Sequence, residues 1–243
     1  MAYEVISFPD AAGNEIPGWL FKPKSGRGIG VCMIHDIRGF RDDYVNVAAP
    51  FVEHGYIVLL PNLFYAVEPI DIIDPDGFPR KSYRGKVPES RQVEIMVAAV
   101  KKLTSMPETG DKVAVTGYCL GGTLSYLATA SLDEVGAAAG YYATSAHEHL
   151  DKARDIKRPL IMHISETDRT HTPADAQRLR DSLDTVPLAK WYIYPGTVHG
   201  FANNDHNRYD AAATKLANSR TFELFDAIKA PAVVASKGFE RNQ

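Results

Sequence analysis

Continuous apolar runs alternate with helical periodicity along most of the chain. The stretches 28–36 (GIGVCMIHD), 56–64 (YIVLLPNLF), 112–118, 135–143, 158–165 and 189–195 read as strands apolar on both faces, the pattern of parallel strands covered on either side. Between them, 42–55 has an acidic start and a closing glycine, and Val93, Val97, Val100 and Leu103 recur at helical spacing within 88–106. Residues 173–183 open with a proline suited to a first helical turn, and 210–229 form a long last helix. The first residues, YEVISFPD and EIPGWLFKP, read as an antiparallel hairpin at the sheet edge. The expected architecture is therefore an α/β fold with a mainly parallel sheet, helices on both faces and an antiparallel N-terminal edge hairpin.

One stretch interrupts the alternation. Residues 65–88 carry Pro69, Pro75, Pro79 and Pro88 with several aspartates and no sustained period, which predicts a lid or binding loop, or else a solvated insertion.

With 243 residues, 45% of them hydrophobic, the chain is expected to form one domain, 1–243, around one sizeable core. A net charge of -3 and scattered basic residues exclude an electrostatic footprint for nucleic acid. The N-terminus lacks the basic start and apolar run of a signal peptide, and no segment has membrane-spanning length, so a cytoplasmic location is expected. Two cysteines occur, Cys32 and Cys119, both expected to be free thiols. Cys32 lies mid-strand and reads as core.

Cys119 is different. In Gly117-Tyr118-Cys119-Leu120-Gly121 the glycines flank the central residue as in GxSxG, the nucleophile elbow of α/β-hydrolases, with a strand before it and a helix (LGGTLSYLATAS) after it. The alternative is a small buried hydrophobe, the usual state of a free cysteine. In such folds the nucleophile is followed in the chain by an acid and then a histidine, each on a loop after a late strand. Asp168 in SETDRTHTP and His199 in GTVHGF occupy those places. The loop IHDIRGF after the first parallel strand, with the residue after the nucleophile, supplies oxyanion donors in this architecture, which points to the N–H groups of Ile37 and Leu120. Asp36 falls close to the elbow, where it reads equally well as a turn or capping aspartate. His163 reads as core. His147 and His149, in AHEHL, read as a solvated helix start rather than a metal pair, and neither a metal nor a cofactor is expected.

From IHDIRGF through PNLF, GYCLGG, SETD and YPGTVHGF, nearly the whole chain resembles the dienelactone hydrolases (carboxymethylenebutenolidases). The resemblance implies an α/β-hydrolase fold and a cysteine nucleophile, Cys119, completed by Asp168 and His199. In that family a carboxylate of the first crossover loop interacts with the resting thiol; it is a glutamate there and Asp36 here. The family opens an unsaturated lactone in the breakdown of aromatic compounds, and arginines bind the substrate carboxylate, one of them four residues beyond the histidine. That position is Asn203 here. The cation must then come from Arg38 in the oxyanion loop or from Arg80, Lys81 and Arg84 in the 65–88 segment, with Arg84 the first choice.

The expected chemistry is acyl transfer through a thioester, on a small-molecule activated ester or lactone, by a monomer or small homo-oligomer. A thioesterase or acyltransferase on the same core, and a non-catalytic ligand-binding homologue, are the competing expectations.

Overall fold

The computed structural model describes residues 1–73, 79–204 and 207–229. The chain begins with an antiparallel pair, β1 (Glu4–Pro9) and β2 (Glu15–Phe21), followed by β3 (Gly30–Ile34), α1 (Asp43–His54) and β4 (Ile57–Pro61). A small hairpin comes next, β5 (Ile70–Ile73) and β6 (Pro79–Ser82), and then α2 (Glu89–Thr104). The second half alternates β7 (Val113–Tyr118), α3 (Leu120–Ser131), β8 (Val135–Tyr141), β9 (Leu160–Thr167), α4 (Pro173–Asp184), β10 (Ala189–Val198) and α5 (Ala211–Asp226).

The main sheet has the order β1-β2-β4-β3-β7-β8-β9-β10. β2 pairs antiparallel with both β1 and β4, and the pairs from β4 through β10 are parallel. This is the architecture the apolar pattern predicts, with its antiparallel hairpin at one edge.

Two core layers follow from the two-residue period of a strand. Cys32 and Ile34 of β3 and Ile57 and Leu59 of β4 pack with Ile95, Met96 and Val100 of α2. Their neighbours Val31, Met33, Val58 and Leu60 face the other way, onto Tyr44, Phe51 and Phe225 of α1 and α5. Each side chain of this size contributes roughly 1.5–3 kcal/mol when fully buried, so both faces must be apolar and the strand sequence cannot alternate.

The helix ends are defined locally. Gly55 closes α1 at φ 106°, a left-handed conformation that favours glycine. Pro173 is the first residue of α4, and Thr172 caps it in a reciprocal box with Asp175. The late strands run past their expected ends: β9 reaches Thr167 and β10 reaches Val198, so Asp168 and His199 each follow a strand directly.

Two expectations need correction. The 65–88 insertion is not aperiodic throughout, because it contains the β5–β6 hairpin; residues 74–78 of the insertion lie outside the described residues. His147 and His149 do not open a solvated helix. His147 lies in a 3₁₀ turn (Ala146–Glu148) and His149 links it to the next (Leu150–Asp155); His149 Nε2 lies 3.1 Å from Glu89 Oε2 and the His147 ring stands 5.8 Å from that of His171. Cys32 and His163 are buried in the core, as their mid-strand positions suggest.

Candidate active site

The C-terminal ends of β3, β7, β9 and β10 converge on a cavity of about 590 Å³. Cys119, His199, Asp36, Ile37, Arg38 and Tyr142 are among its lining residues. This is the crevice that a parallel sheet leaves where the loops after its strands diverge.

Cys119 occupies the turn between β7 and α3 at φ 59°, ψ -114°, outside the usual regions for a side chain larger than glycine. The turn is held by four backbone bonds: Cys119 N–H to the Tyr141 carbonyl at 3.0 Å, and the Cys119 carbonyl from Gly122 N–H at 3.0 Å, Thr144 N–H at 3.3 Å and Thr123 N–H at 3.4 Å. The flanking glycines are required by close approach. A Cβ on Gly117 would strike the Gly121 backbone, and one on Gly121 would strike the carbonyl of Ile34 in β3. The strand, the helix and the neighbouring strand thus touch through backbone, and the cysteine side chain is directed to the cavity.

His199 Nδ1 lies 2.8 Å from Asp168 Oδ2, which leaves Nε2 for the thiol. Asp168 is fixed in turn by the hydroxyls of Ser165 at 3.0 Å and Thr170 at 2.7 Å and by the Thr170 N–H at 2.9 Å. Burial pushes the Asp168 carboxyl up, but the His199 and Thr170 hydrogen bonds outweigh it and hold the group well below the usual carboxylate range. Burial also pushes the Cys119 thiol up. The charge and hydrogen bond of His199 pull it down further, so the net shift is below the ordinary thiol value. His199 moves the opposite way: burial disfavours its charge, yet Cys119 and Asp168 raise it to about 10. The pair therefore favours thiolate and imidazolium.

The sulfur also meets Thr144, whose Oγ1 lies 2.9 Å from Cys119 Sγ. Thr144 was not among the sequence candidates. It sits on the turn after β8, and no spacing marks it. Tyr142, two residues earlier, is also new: it has φ 36° and presents its ring to His199 at 4.9 Å, edge to face.

Leu120 is the first residue of α3, so its N–H has no acceptor within the helix. Ile37 lines the cavity from the β3–α1 loop. The peptide that carries the Ile37 N–H is held by its own carbonyl, that of Asp36, which accepts from Gly39 N–H at 3.1 Å and faces His35 Nδ1 at 2.9 Å. His35 Nε2 accepts from Leu63 N–H at 3.1 Å. On the far side of the same residue, the Ile37 carbonyl accepts from Tyr83 N–H at 2.8 Å, and this bond ties the 65–88 insertion to the loop.

The expected cations are distributed unequally. Arg38 is largely buried and bound to Asp36, with Asp43 at 3.5 Å, so it secures its own loop while lining the cavity. Asn203 is buried and donates to Asp43 Oδ2 at 3.0 Å. Arg80 and Arg84 line the cavity. Lys81 does not; it pairs with Asp71 at 2.8 Å on the outer face of the hairpin. Two further arginines line the cavity, Arg169 and Arg208. Arg169 directly follows Asp168, and that adjacency was a usable signal. The resting thiol is not hydrogen-bonded by Asp36 among the described residues; Asp36 acts on it through charge, in the direction that raises the thiol.

Residues 16–229 match the model of the dienelactone hydrolase family. A carboxymethylenebutenolidase from Pseudomonas putida is 25% identical over 228 residues, covering 92% of this chain and 96% of its own length. Another, from Pseudomonas sp. strain P51, is 28% identical over 233 residues, with 94% and 97% covered. Among solved structures, a dienelactone hydrolase-like promiscuous phosphotriesterase from metagenomic libraries superimposes with a TM-score of 0.73 at 19% identity, over 93% of this chain and 98% of that one, which shows the shared fold. No helix among the described residues is long and apolar enough to cross a membrane. The family match spans the sheet, the elbow and the loops that surround the cavity, and the chain accordingly belongs to the dienelactone hydrolase family, hydrolases of the α/β-hydrolase fold.

Proposed function

We propose that the protein hydrolyses an activated ester or lactone through a thioester on Cys119. The observation that carries this is the arrangement of Cys119, His199 and Asp168 at the ends of three strands, with the thiol lowered and the imidazole raised by their mutual interaction. The thiolate adds to the substrate carbonyl, and the oxyanion is received by the N–H groups of Ile37 and Leu120. The carbon–oxygen bond to the leaving group then breaks, and His199 supplies its proton to the leaving oxygen. Water, deprotonated by His199, attacks the thioester; the carbon–sulfur bond breaks, and the thiolate and imidazolium are restored with release of the acid.

The thiolate is expelled in preference to a poor alkoxide, so the leaving group must itself be good, as an enolate or aryl oxide is. The carboxymethylenebutenolidases that resemble this chain are consistent with a lactone that carries a carboxylate. Arg84, and with it Arg169, is the cation for such a group. Neither has a carboxylate partner among the described residues, both line the cavity, and a guanidinium matches a carboxylate bidentately.

The test compares wild type with Cys119→Ala on a lactone, an enol ester and an aryl ester, with mass spectrometry after iodoacetamide. The expected result is loss of turnover in the variant and alkylation of Cys119 with Cys32 spared, since burial without any compensating partner pushes the Cys32 thiol up. Alkylation of Cys32 first, with activity retained, overturns the assignment.

A further inference from the structure

The register of the small hairpin sorts its side chains into two faces. Ile70 lies opposite Ser82 and Ile72 opposite Arg80, while Asp71 lies opposite Lys81. Side chains alternate along a strand, so the first two pairs share one face and the third belongs to the other. Ile70, Ile72, Arg80 and Ser82 all line the cavity that holds Cys119, whereas Asp71 and Lys81 form their ion pair away from it. The hairpin is a roof over the nucleophile with an apolar centre.

Much of that apolar surface is uncovered. Ile70 is 41% and Ile73 75% exposed, and Ile73 also lines the cavity, as does Val198 at 37% exposure at the end of β10. Folding places isoleucines in the core where it can, and here three of them gather instead at the site where substrate must enter. The polar groups that bind the reacting carbonyl, the Ile37 and Leu120 N–H groups, belong to the β3–α1 loop and to the start of α3, on the sheet side of the cavity. At about 590 Å³ the cavity is in the range that accommodates drug-sized ligands, not only a single small ring.

We propose that the substrate carries an apolar body, a hydrocarbon chain or ring of four or more carbons beyond the scissile carbonyl, which seats beneath Ile70 and Ile72 with Ile73 at the mouth. This rests on the hydrolase reading above and names the substrate class of the same site. The reaction is unchanged: water is added across the carbonyl–oxygen bond, and an acid and an alcohol, or a ring-opened hydroxy acid, are released. To the good leaving group demanded by the thiolate and the carboxylate that Arg84 and Arg169 would hold, the roof then adds a demand for hydrocarbon.

The test is a series of p-nitrophenyl esters, acetate to octanoate, on the wild type, on the double variant Ile70→Ser/Ile72→Ser, and on Lys81→Ala as an outer-face control. The expected kcat/KM rises about twofold per methylene over part of the series, below the roughly fourfold that complete burial of a methylene gives. The rise is lost in the double variant and kept in Lys81→Ala. A flat or falling wild-type series, or a rise that survives in the double variant, overturns the proposal. A binding measurement without turnover separates this from failure of the hydrolase reading: calorimetric titration with sodium octanoate and sodium butyrate. Octanoate is expected to bind at least several-fold tighter to wild type and not to the double variant, and equal affinities overturn the roof whatever becomes of turnover. Ester hydrolysis undiminished in Cys119→Ala overturns the thioester mechanism instead.

Discussion

Arg38 closes on Asp36 within a single loop, with Nη2 2.7 Å and Nε 3.0 Å from Asp36 Oδ2, and the Arg38 N–H 2.8 Å from Oδ1. The carboxylate that the family resemblance places on the resting thiol is thus occupied by a guanidinium, and it reaches Cys119 only through its field. That field opposes a thiolate. Asp36→Asn removes the negative charge and leaves the Arg38 cation, and both changes favour the thiolate. The apparent alkylation pKa of Cys119 is expected to fall, with the iodoacetamide rate rising a few-fold on the acid side of the profile. A pKa that stays fixed or rises shows that Arg38 already cancels Asp36.

The Thr144 hydroxyl lies 2.9 Å from the sulfur, where it can donate to a thiolate, on a turn fixed by its own N–H bond to the Cys119 carbonyl. Thr144→Val keeps the shape and deletes the donor. A hydrogen bond to a charged group is worth roughly 1.5–3 kcal/mol, so the thiol pKa should rise and acylation slow by about tenfold or more, with KM little changed. Thr144→Ser is expected to restore both. Equal losses in Val and Ser variants point to packing instead.

The pH dependence follows from the opposed shifts. Cys119 is lowered and His199 is raised to about 10, so the thiolate–imidazolium pair persists from the lowered thiol value up to about pH 10. The wild-type alkylation rate is expected to be already high at pH 7. In His199→Ala the burial of Cys119 is unopposed by its cation, and the thiol returns to or above an ordinary value of about 8.5, with a few per cent thiolate or less at neutral pH. The rate at pH 7 should fall by about tenfold or more and be regained as pH rises. A variant that alkylates as fast as wild type at pH 7 removes His199 from the pair.

Gly121→Ala tests the elbow as a packing device. The new Cβ meets the Ile34 backbone carbonyl, which cannot rotate away as a side chain would. The cost is expected to be about 3 kcal/mol or more, a fall in Tm of roughly 6–12 °C for a chain of this size, measured by calorimetry. A melting point within a degree or two of wild type shows that the strand and helix separate easily.

The parts of the site legible in the chain are those set by strand ends. Cys119, Asp168 and His199 each follow an apolar run, and chain order alone aligns them, because every parallel strand delivers its C-terminus to the same edge. The hairpin leaves no mark in the sequence for a physical reason: its strands are four residues each, too short for a period to show among prolines. Without that register, Arg80 and Lys81 are indistinguishable neighbours, yet one faces the cavity and the other faces solvent. Thr144 and the Asp36–Arg38 closure depend on how turns pack against the elbow, and no local pattern records that.

His35 bears on the Ile37 N–H, the proposed oxyanion donor. It is fully buried, and burial lowers it to about 4, so the ring is neutral near pH 7. Leu63 N–H donates to Nε2, which places the single ring proton on Nδ1, aimed at the Asp36 carbonyl. That carbonyl and the Ile37 N–H are the two ends of one peptide group. A relay of dipoles therefore runs from the Leu63 N–H, just after β4, through an imidazole into the amide proposed to receive the oxyanion, each bond polarising the next. On the proposed mechanism, a histidine outside the cavity lining would thereby make the Ile37 N–H a stronger acid toward the oxyanion, and the segment after β4, on the far side of β3, would bear on the chemistry at Cys119.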